Sequence, residues 1–143
     1  MRVRDAVEAD ATAMAAIADA PADVMRNIVH DRTVRVAERE ANATDENADA
    51  NDVDPDDVIG FVSFDVRGDV VHVTQIDGTA EVCETLLAEP IRFAEHERMR
   101  VELLVTDADG DVAAAAERIG FEHDGSGPRF EGKRTGRYRL SPA

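Results

Sequence analysis

The strongest structural signal in the sequence lies in residues 58–105, which read VIGFVSFDVRGDVVHVTQID (58–77), GTAEVCETLLAEPIRFAEHER (78–98) and MRVELLV (99–105). The first segment has two runs rich in β-branched and aromatic residues on either side of a Gly-Asp turn, which predicts a β-hairpin over residues 58–76. In the second segment, apolar residues recur three and four positions apart, so a long helix is expected from about Thr79 to Arg98. The third segment predicts another strand.

The residues before this segment predict a strand and two helices that lead to a second strand. Residues 3–7 form the first predicted strand, and Asp10 is a suitable N-cap for the Ala-rich helix that follows it. Pro21 is expected to begin the second helix. The alternation of valine with polar residues then predicts a strand over residues 33–37.

The residues after the segment predict a short helix and two strands. Either Asp109 or Asp111 is expected to cap the helix, and Gly120 to end it. Strands are predicted from Phe121 and over residues 136–140. The complete order, β-α-α-β-β-β-α-β-α-β-β, predicts an α/β (α+β) protein with a mixed, mostly antiparallel sheet and helices on both faces.

Residues 41–57 differ in composition from the rest of the chain. They hold seven acidic residues, three Asn and a single large apolar side chain, Val53. Such a segment buries too little surface to offset its ordering entropy, so we expect a mobile acidic loop within one domain that spans residues 1–143. The loop lacks the Gly and Glu spacing of an EF-hand, which argues against calcium binding.

The charge of the chain excludes some classes of partner. There are 31 acidic and 16 basic residues, which gives a net charge of −15. Binding to nucleic acid or to anionic membranes by the bulk of such a surface is not expected, because phosphate contacts need Lys and Arg. Lys133 is the only lysine. A carboxylate-rich surface with so little Lys is typical of proteins dissolved in molar salt, so we expect a halophilic protein.

Other features of the composition concern location and metal sites. No apolar run approaches the roughly 20 residues of a membrane span. The segment from Met1 to Asp5 lacks the apolar region of a signal peptide, which indicates a cytoplasmic protein. The single cysteine, Cys83, cannot form an intrachain disulfide, and no His/Cys/Asp spacing indicates a metal site.

Four local sequences, taken in order, resemble the GNAT acetyltransferase superfamily. The segment Arg4–Asp10 resembles the approach to the first helix of that family, and Ile59-Gly60-Phe61-Val62 resembles its third strand. Phe93-Ala94, followed by the strand from Arg100, resembles the end of its long helix and the strand after it. Residues 115–121, which end in Gly-Phe, resemble its last helix. The resemblance covers nearly the whole chain and implies acetyl transfer from acetyl-CoA to an amine.

The resemblance also implies where acetyl-CoA binds. In the family, the fourth and fifth strands separate at a bulge, the pantetheine arm lies between them, and the pyrophosphate rests on N–H groups at the start of the long helix. The residues that this resemblance assigns to the cofactor are Val73, Gln75, Gly78, Thr79, Ala80, Val82 and Asp109.

The phosphate-binding pattern of the family, Gln/Arg-x-x-Gly-x-Gly/Ala, fits the sequence in two registers. Residues 75–80 match it literally, whereas an ungapped run from Val73 to Val105 places Glu81 and Cys83 at the two small-residue positions. In both registers the loop carries carboxylates and has no Lys or Arg before Ile91. A nearby carboxylate repels a phosphate by about 1 kcal/mol in a water-like dielectric, and molar salt reduces this penalty.

Several residues are candidates for proton transfer. His72 lies one residue before Val73, close to the place where the resemblance puts the thioester, and an imidazole has a suitable pKa for a general base. Asp69 is a second candidate, and proton loss relayed by water with no single base is a third possibility. Many family members carry, at the position of Ala116, a Tyr that acts as the general acid and protonates the leaving thiolate. The single tyrosine of this chain, Tyr138, lies instead in the last predicted strand.

Two functions remain open from the sequence, beside the weaker option of a purely structural interaction domain. The first is an N-acetyltransferase that uses acetyl-CoA and acts on a small-molecule or peptide amine, with a homodimer as one assembly found in such folds. The second is a non-catalytic module that binds an acyl-CoA or a protein partner. Acetyl transfer requires an open gap between the fourth and fifth strands.

Overall fold

The computed structural model describes residues 1–39, 58–106, 110–126 and 135–141. The predicted order of elements is confirmed, with a short 3-10 turn, Glu8–Asp10, added before the first helix. The strands are β1 (Arg2–Asp5), β2 (Thr33–Glu38), β3 (Val58–Arg67), β4 (Val70–Asp77), β5 (Arg100–Thr106), β6 (Glu122–Ser126) and β7 (Thr135–Leu140). The helices are α1 (Ala11–Ala18), α2 (Ala22–Asp31), α3 (Ala80–Glu97) and α4 (Gly110–Ile119).

The strands form one seven-stranded sheet in the order β1-β2-β3-β4-β5-β7-β6. All neighbouring pairs are antiparallel except β4 and β5, which are parallel because α3 connects them as a crossover. The predicted hairpin is formed by β3 and β4 around a turn in which Gly68 has a φ of +62°. The fold class predicted from the sequence is therefore confirmed.

Helices cover both faces of the sheet, as predicted, and each face has its own apolar core. The larger core joins α3 and α4 to the sheet through residues such as Val71, Val73 and Leu103. The smaller core joins α1 and α2 to β2 and β3 through residues such as Val36 and Phe61. Since α1 and α2 pack on β2 and β3, the described residues form no core of this kind on the same face over β4, β5 and β7. Among the described residues, no helix is long and apolar enough to cross a membrane.

Three expectations about helix starts and loops need correction or fall outside the description. Asp10 does not cap α1, because the 3-10 turn gives it helical dihedral angles and its side chain makes no cap hydrogen bond. Asp111 lies inside the first turn of α4, which begins at Gly110, so it is not the cap either. Asp109 and the acidic segment 41–57 lie outside the described residues. Gly120 ends α4 as predicted, with a φ of +113°.

The carboxylate of Asp10 belongs to a buried charge cluster at the β1 edge of the sheet. The guanidinium of Arg4 donates to both oxygens of Asp10, at 2.8 and 2.9 Å, and to Glu38 Oε2 at 3.1 Å. The backbone N–H of Val7 also donates to Asp10, at 2.8 Å. Burial alone would raise the pKa of Asp10, but the hydrogen bonds and the charge of Arg4 outweigh it and hold that pKa below its usual value.

The lowered pKa of Asp10 predicts a contribution to acid sensitivity. Stability from a carboxyl with a lowered folded-state pKa is complete above its unfolded pKa, about 3.9, and is lost as the pH falls through the folded value. We therefore expect Asp10→Asn to flatten the dependence of the free energy of unfolding on pH below about pH 4. Urea unfolding at constant molar KCl measures it, with the exposed Asp23→Asn as the control. Equal slopes in Asp10→Asn and wild type would contradict the prediction.

Candidate active site

A wedge opens between β4 and β5 in the middle of the sheet. The two strands pair from Val70–Arg100 to Val73–Leu103, and the ladder between them stops there. Both strands nevertheless continue, β4 to Asp77 along β3 and β5 to Thr106 along β7. Each strand is thus held by its outer neighbour while the inner edges diverge, which leaves the backbone groups on these edges outside the ladder. This is the opening that the family resemblance implies.

A bulge at Thr74 marks the point where the wedge begins. Phe64 of β3 pairs with Val73, but the next residue, Ser63, pairs with Gln75, so Thr74 has no opposite residue. The Thr74 hydroxyl donates to the carbonyl oxygen of Ser63 at 3.1 Å and lies 2.5 Å from the Ser63 hydroxyl. The extra residue lets both Thr74 and Gln75 lie on the Ser63 side, whereas Val73 is packed in the core under α3.

The wider end of the wedge leads to the N-terminus of α3. Thr79 is the N-cap, and its hydroxyl oxygen accepts from the Val82 N–H at 3.4 Å, a long contact. Other N–H groups of the first helical turn, such as that of Ala80, have no acceptor within the helix. Glu81 is exposed in this turn, and Cys83 is fully buried, with its thiol 3.5 Å from the carbonyl oxygen of Gly78.

Two glycines let the start of α3 lie directly against the sheet. Gly78 has a φ of +144°, and a Cβ at this position would be 2.8 Å from Val82 Cγ1. A Cβ on Gly60 of β3 would lie 2.5 Å from the same Val82 atom and 2.7 Å from the carbonyl oxygen of Asp77. The turn of residues 77–79 is therefore packed against β3 with no room for additional atoms. This geometry suits the first register of the phosphate-binding pattern, in which residues 75–80 span the strand end, the turn and the cap.

The predicted base, His72, lies beside the narrow end of the wedge. It is half-buried on β4, directly opposite Asp65 of β3 and Glu102 of β5. Its neighbours Val71 and Val73 pack in the core under α3, so His72 lies on the other face of the sheet, the face that carries α1 and α2 farther along. The imidazole of His72 makes no hydrogen bond to any described residue.

The structure separates the other predicted site residues into three groups. Backbone near the wedge comes from Val73, Gln75, Gly78, Thr79, Ala80 and Val82, although the side chains of Val73 and Val82 are buried in the core. Asp109 lies outside the described residues. Ala116 and Tyr138 are buried in the α3-side core, where Tyr138 packs edge-to-face against His123 at 5.1 Å between ring centroids.

Charged residues near the site include some that the sequence pattern did not reveal. Asp65 and Glu102 flank His72, and they could have been found by counting residues outward from the hairpin turn and across the parallel pair. Glu102 lies 3.4 Å from Arg137 and 3.5 Å from Arg139 on β7. The first turns of α3 contain no Lys or Arg of their own. Arg118 of α4 lies 3.7 Å from Glu84 and thus brings a positive charge to this end of the helix. Within the described residues, no three His, Cys, Asp or Glu side chains lie close enough to hold a metal ion.

Comparisons with known proteins identify the class of fold. The chain has the GNAT acetyltransferase fold, as solved structures of that family match it over nearly its whole length. Ribosomal-protein-alanine N-acetyltransferase from Brucella melitensis is 18% identical and covers 99% of this chain and 100% of its own, with a TM-score of 0.71. The acetyltransferase yncA from Salmonella typhimurium, solved with its cofactor acetyl-CoA, is 16% identical and covers 98% of this chain and 92% of its own, with a TM-score of 0.69.

A third similar structure extends the comparison. An N-acetyltransferase from Staphylococcus aureus is 12% identical, with coverage of 98% of this chain and 100% of its own and a TM-score of 0.66. No family model and no curated protein matches the sequence. At these identities the likeness establishes the fold and leaves the activity and the substrate to be argued from the site.

Proposed function

We propose that this protein is an N-acetyltransferase that transfers an acetyl group from acetyl-CoA to an amine. The observation that carries this proposal is the wedge beyond Val73 and Leu103, which connects a half-buried imidazole at its narrow end with a helix N-terminus at its wide end. The amine belongs to a small molecule or a peptide. The similar protein from Brucella melitensis is named a ribosomal-protein-alanine N-acetyltransferase, and this name supports a peptide amine.

The residues present fit an extended cofactor that carries phosphates. The inner edge of β4 beyond Val73 offers backbone hydrogen-bonding groups to the amides of a pantetheine arm. The first-turn N–H groups of α3, such as that of Ala80, favour a pyrophosphate, and Gly78 lets the helix begin close to the strand. Acetyl-CoA supplies a thioester carbonyl that an amine can attack. Val73, Gln75, Gly78, Thr79, Ala80, Val82 and Asp109 remain the residues proposed to bind it.

His72 is proposed to be the general base. Its ring nitrogen takes the proton that the amine loses as the new C–N bond forms and the C–S bond breaks. The half-buried position beside the bulge keeps the imidazole near the reacting groups while the proton can still be passed on to water. Ala116 offers no acid to the departing thiolate, so we propose that the thiolate is protonated from solvent.

The carboxylates around the wedge make the proposed binding dependent on salt. Glu81 is exposed in the first turn of α3, where it repels a phosphate at low ionic strength. Salt near 1 M shortens the Debye length to about 3 Å and screens this repulsion. We therefore propose a halophilic enzyme that binds acetyl-CoA more tightly in molar KCl than in dilute buffer. We also propose that the enzyme is cytoplasmic and that residues 1–143 form a single domain.

Calorimetric titration with acetyl-CoA in molar KCl tests binding, and release of free thiol with a panel of amines and N-terminal peptides tests transfer. We expect binding of acetyl-CoA and release of thiol with at least one class of amine. His72→Ala should lower kcat about 10²- to 10⁴-fold, the usual contribution of a general base, and leave cofactor binding intact. His96→Ala, an exposed histidine in the last turn of α3, is the control and should keep wild-type turnover.

The outcomes separate the possible functions. Binding without turnover on any amine would support the non-catalytic module instead of the enzyme. No binding at any salt concentration would overturn both cofactor-dependent functions, and wild-type turnover in His72→Ala would remove the role assigned to His72.

A further inference from the structure

Asp65 is a half-buried carboxylate with one buried oxygen, and the proposed reaction does not yet explain it. It lies on β3 directly opposite His72, on the same face of the sheet. Its Oδ2 accepts a hydrogen bond from Arg32, the C-cap residue that directly follows α2. Its Oδ1 is buried, and no described residue donates a hydrogen bond to it.

An unpartnered oxygen of this kind is uncommon and costly. Within the described residues, the only other buried side-chain polar atom without a hydrogen bond is Arg137 Nε, which lies on the same open part of the sheet. Leaving a buried acceptor unsatisfied costs about 1–3 kcal/mol, and more when the group is charged. Such a cost is tolerated at positions where the group has a role beyond stability.

The surroundings of His72 leave Asp65 as the carboxylate with an uncommitted oxygen. Glu102, on the other side of His72, lies near Arg137 with one oxygen and near Arg139 with the other. In Asp65, by contrast, the described residues engage only Oδ2, and Arg32 offsets its charge. Directly opposite residues on antiparallel strands have Cβ atoms about 4.5–5.5 Å apart, so a change of rotamer brings Oδ1 within reach of the imidazole.

We propose that Asp65 is a positioning residue for His72: Oδ1 accepts the N–H of the neutral imidazole and thereby fixes which ring nitrogen carries the proton. The other nitrogen is then an acceptor and takes the proton from the attacking amine. The resulting imidazolium lies between two carboxylates until the proton passes to solvent, and no further reactant is needed. This inference rests on the proposed role of His72 as the base.

Asp65→Asn tests the proposal because Arg32 determines how the new amide is oriented. The guanidinium donates to the carbonyl oxygen, so the NH₂ group occupies the place of Oδ1 and cannot accept from the imidazole. We expect the ratio of the two neutral tautomers of His72 to change, measured by the ¹⁵N chemical shifts of the ring nitrogens. We also expect kcat to fall about 10- to 100-fold, part of the contribution of a general base, while KM for the amine changes less than about threefold.

Arg32→Met is the matched variant, because it breaks the same ion pair and leaves the Asp65 carboxylate in place. If Asp65 acts only by tying α2 to β3, Arg32→Met, which loses this contact entirely, should lower kcat at least as much as Asp65→Asn, which keeps a hydrogen bond, and neither should change the tautomer ratio, which would overturn the proposal. The proposal requires a tautomer change in Asp65→Asn alone. Because the NMR measurement needs no substrate, an unchanged ratio overturns the Asp65 contact even in an active enzyme. A changed ratio in a protein without transferase activity overturns only the proposed function and, with it, the catalytic use of this contact.

Discussion

Replacing Arg4 with methionine is expected to lower the free energy of unfolding by about 3–5 kcal/mol, the usual cost of removing one partner from a buried ion pair. Arg4 is the shared donor of the cluster, with hydrogen bonds to Asp10 and Glu38, whose side chains are 3% and 9% exposed. Methionine fills similar space but leaves Asp10 buried without its cation and Glu38 with only the exposed Arg2, 3.6 Å from its Oε1. The hydrogen bond to Asp10 raises the pKa of Arg4 above its usual value. The same hydrogen bond lowers the pKa of Asp10, because it stabilises the charged form of both groups.

Arg26→Met is the control for this experiment. Arg26 pairs with Asp23 at 3.0 Å and lies 3.8 Å from Glu8, but its side chain is 44% exposed. Exposed pairs contribute about 0–1 kcal/mol, so this variant should unfold close to the wild type in urea. Losses of equal size in the two variants would show that the buried hydrogen bonds of Arg4 stabilise the fold no more than the exposed ion pairs of Arg26 do.

Replacing Gly60 with alanine is expected to displace the N-terminus of α3 and weaken the binding of acetyl-CoA more than tenfold. The new Cβ would lie 2.7 Å from a backbone oxygen, that of Asp77, and this atom cannot move without the turn that leads into the helix. Overpacking of this kind costs about 1–3 kcal/mol of stability. Calorimetry in molar KCl measures the affinity, and urea unfolding measures the stability.

Gly110→Ala is the matched control, since a Cβ on Gly110 would meet nothing within 4 Å. It replaces a glycine at the first residue of α4 and should leave both stability and affinity close to those of the wild type. If Gly60→Ala bound acetyl-CoA as tightly as this control, the start of α3 would not be the phosphate-binding site.

The order of the elements could be predicted from the sequence because it depends on local patterns. The β-branched runs on either side of the turn in residues 58–76 and the helical spacing after Thr79 are patterns of neighbouring residues, and the structure confirms both the hairpin and the helix. Asp10 shows where local reasoning fails. Its type and position suit an N-cap, but a hydrogen-bonding partner from β1, Arg4, engages the carboxylate and a 3-10 turn occupies the cap position.

The candidate site was only partly predictable, for physical reasons that differ from residue to residue. The pairing of Asp65 with His72 follows from counting outward from the two-residue turn Gly68-Asp69, as each strand advances by one residue. Beyond the bulge at Thr74 the same count no longer gives the correct pairs, and no side-chain pattern in the sequence predicts the bulge. The wedge itself consists of ladder bonds that do not form, and a missing backbone bond leaves no trace in the sequence.

The divergence of β4 and β5 also bears on aggregation. Strand edges outside a ladder recruit strands of other chains when they lie at the rim of a sheet. Here the diverging edges lie in its middle, with β3, β2 and β1 beyond β4 on one side and β7 and β6 beyond β5 on the other. A foreign strand would have to force these halves apart to pair with either edge, whereas a slender, unbranched molecule can lie between them. The inner edges of β4 and β5 therefore leave backbone groups outside the ladder without themselves offering a template to another chain.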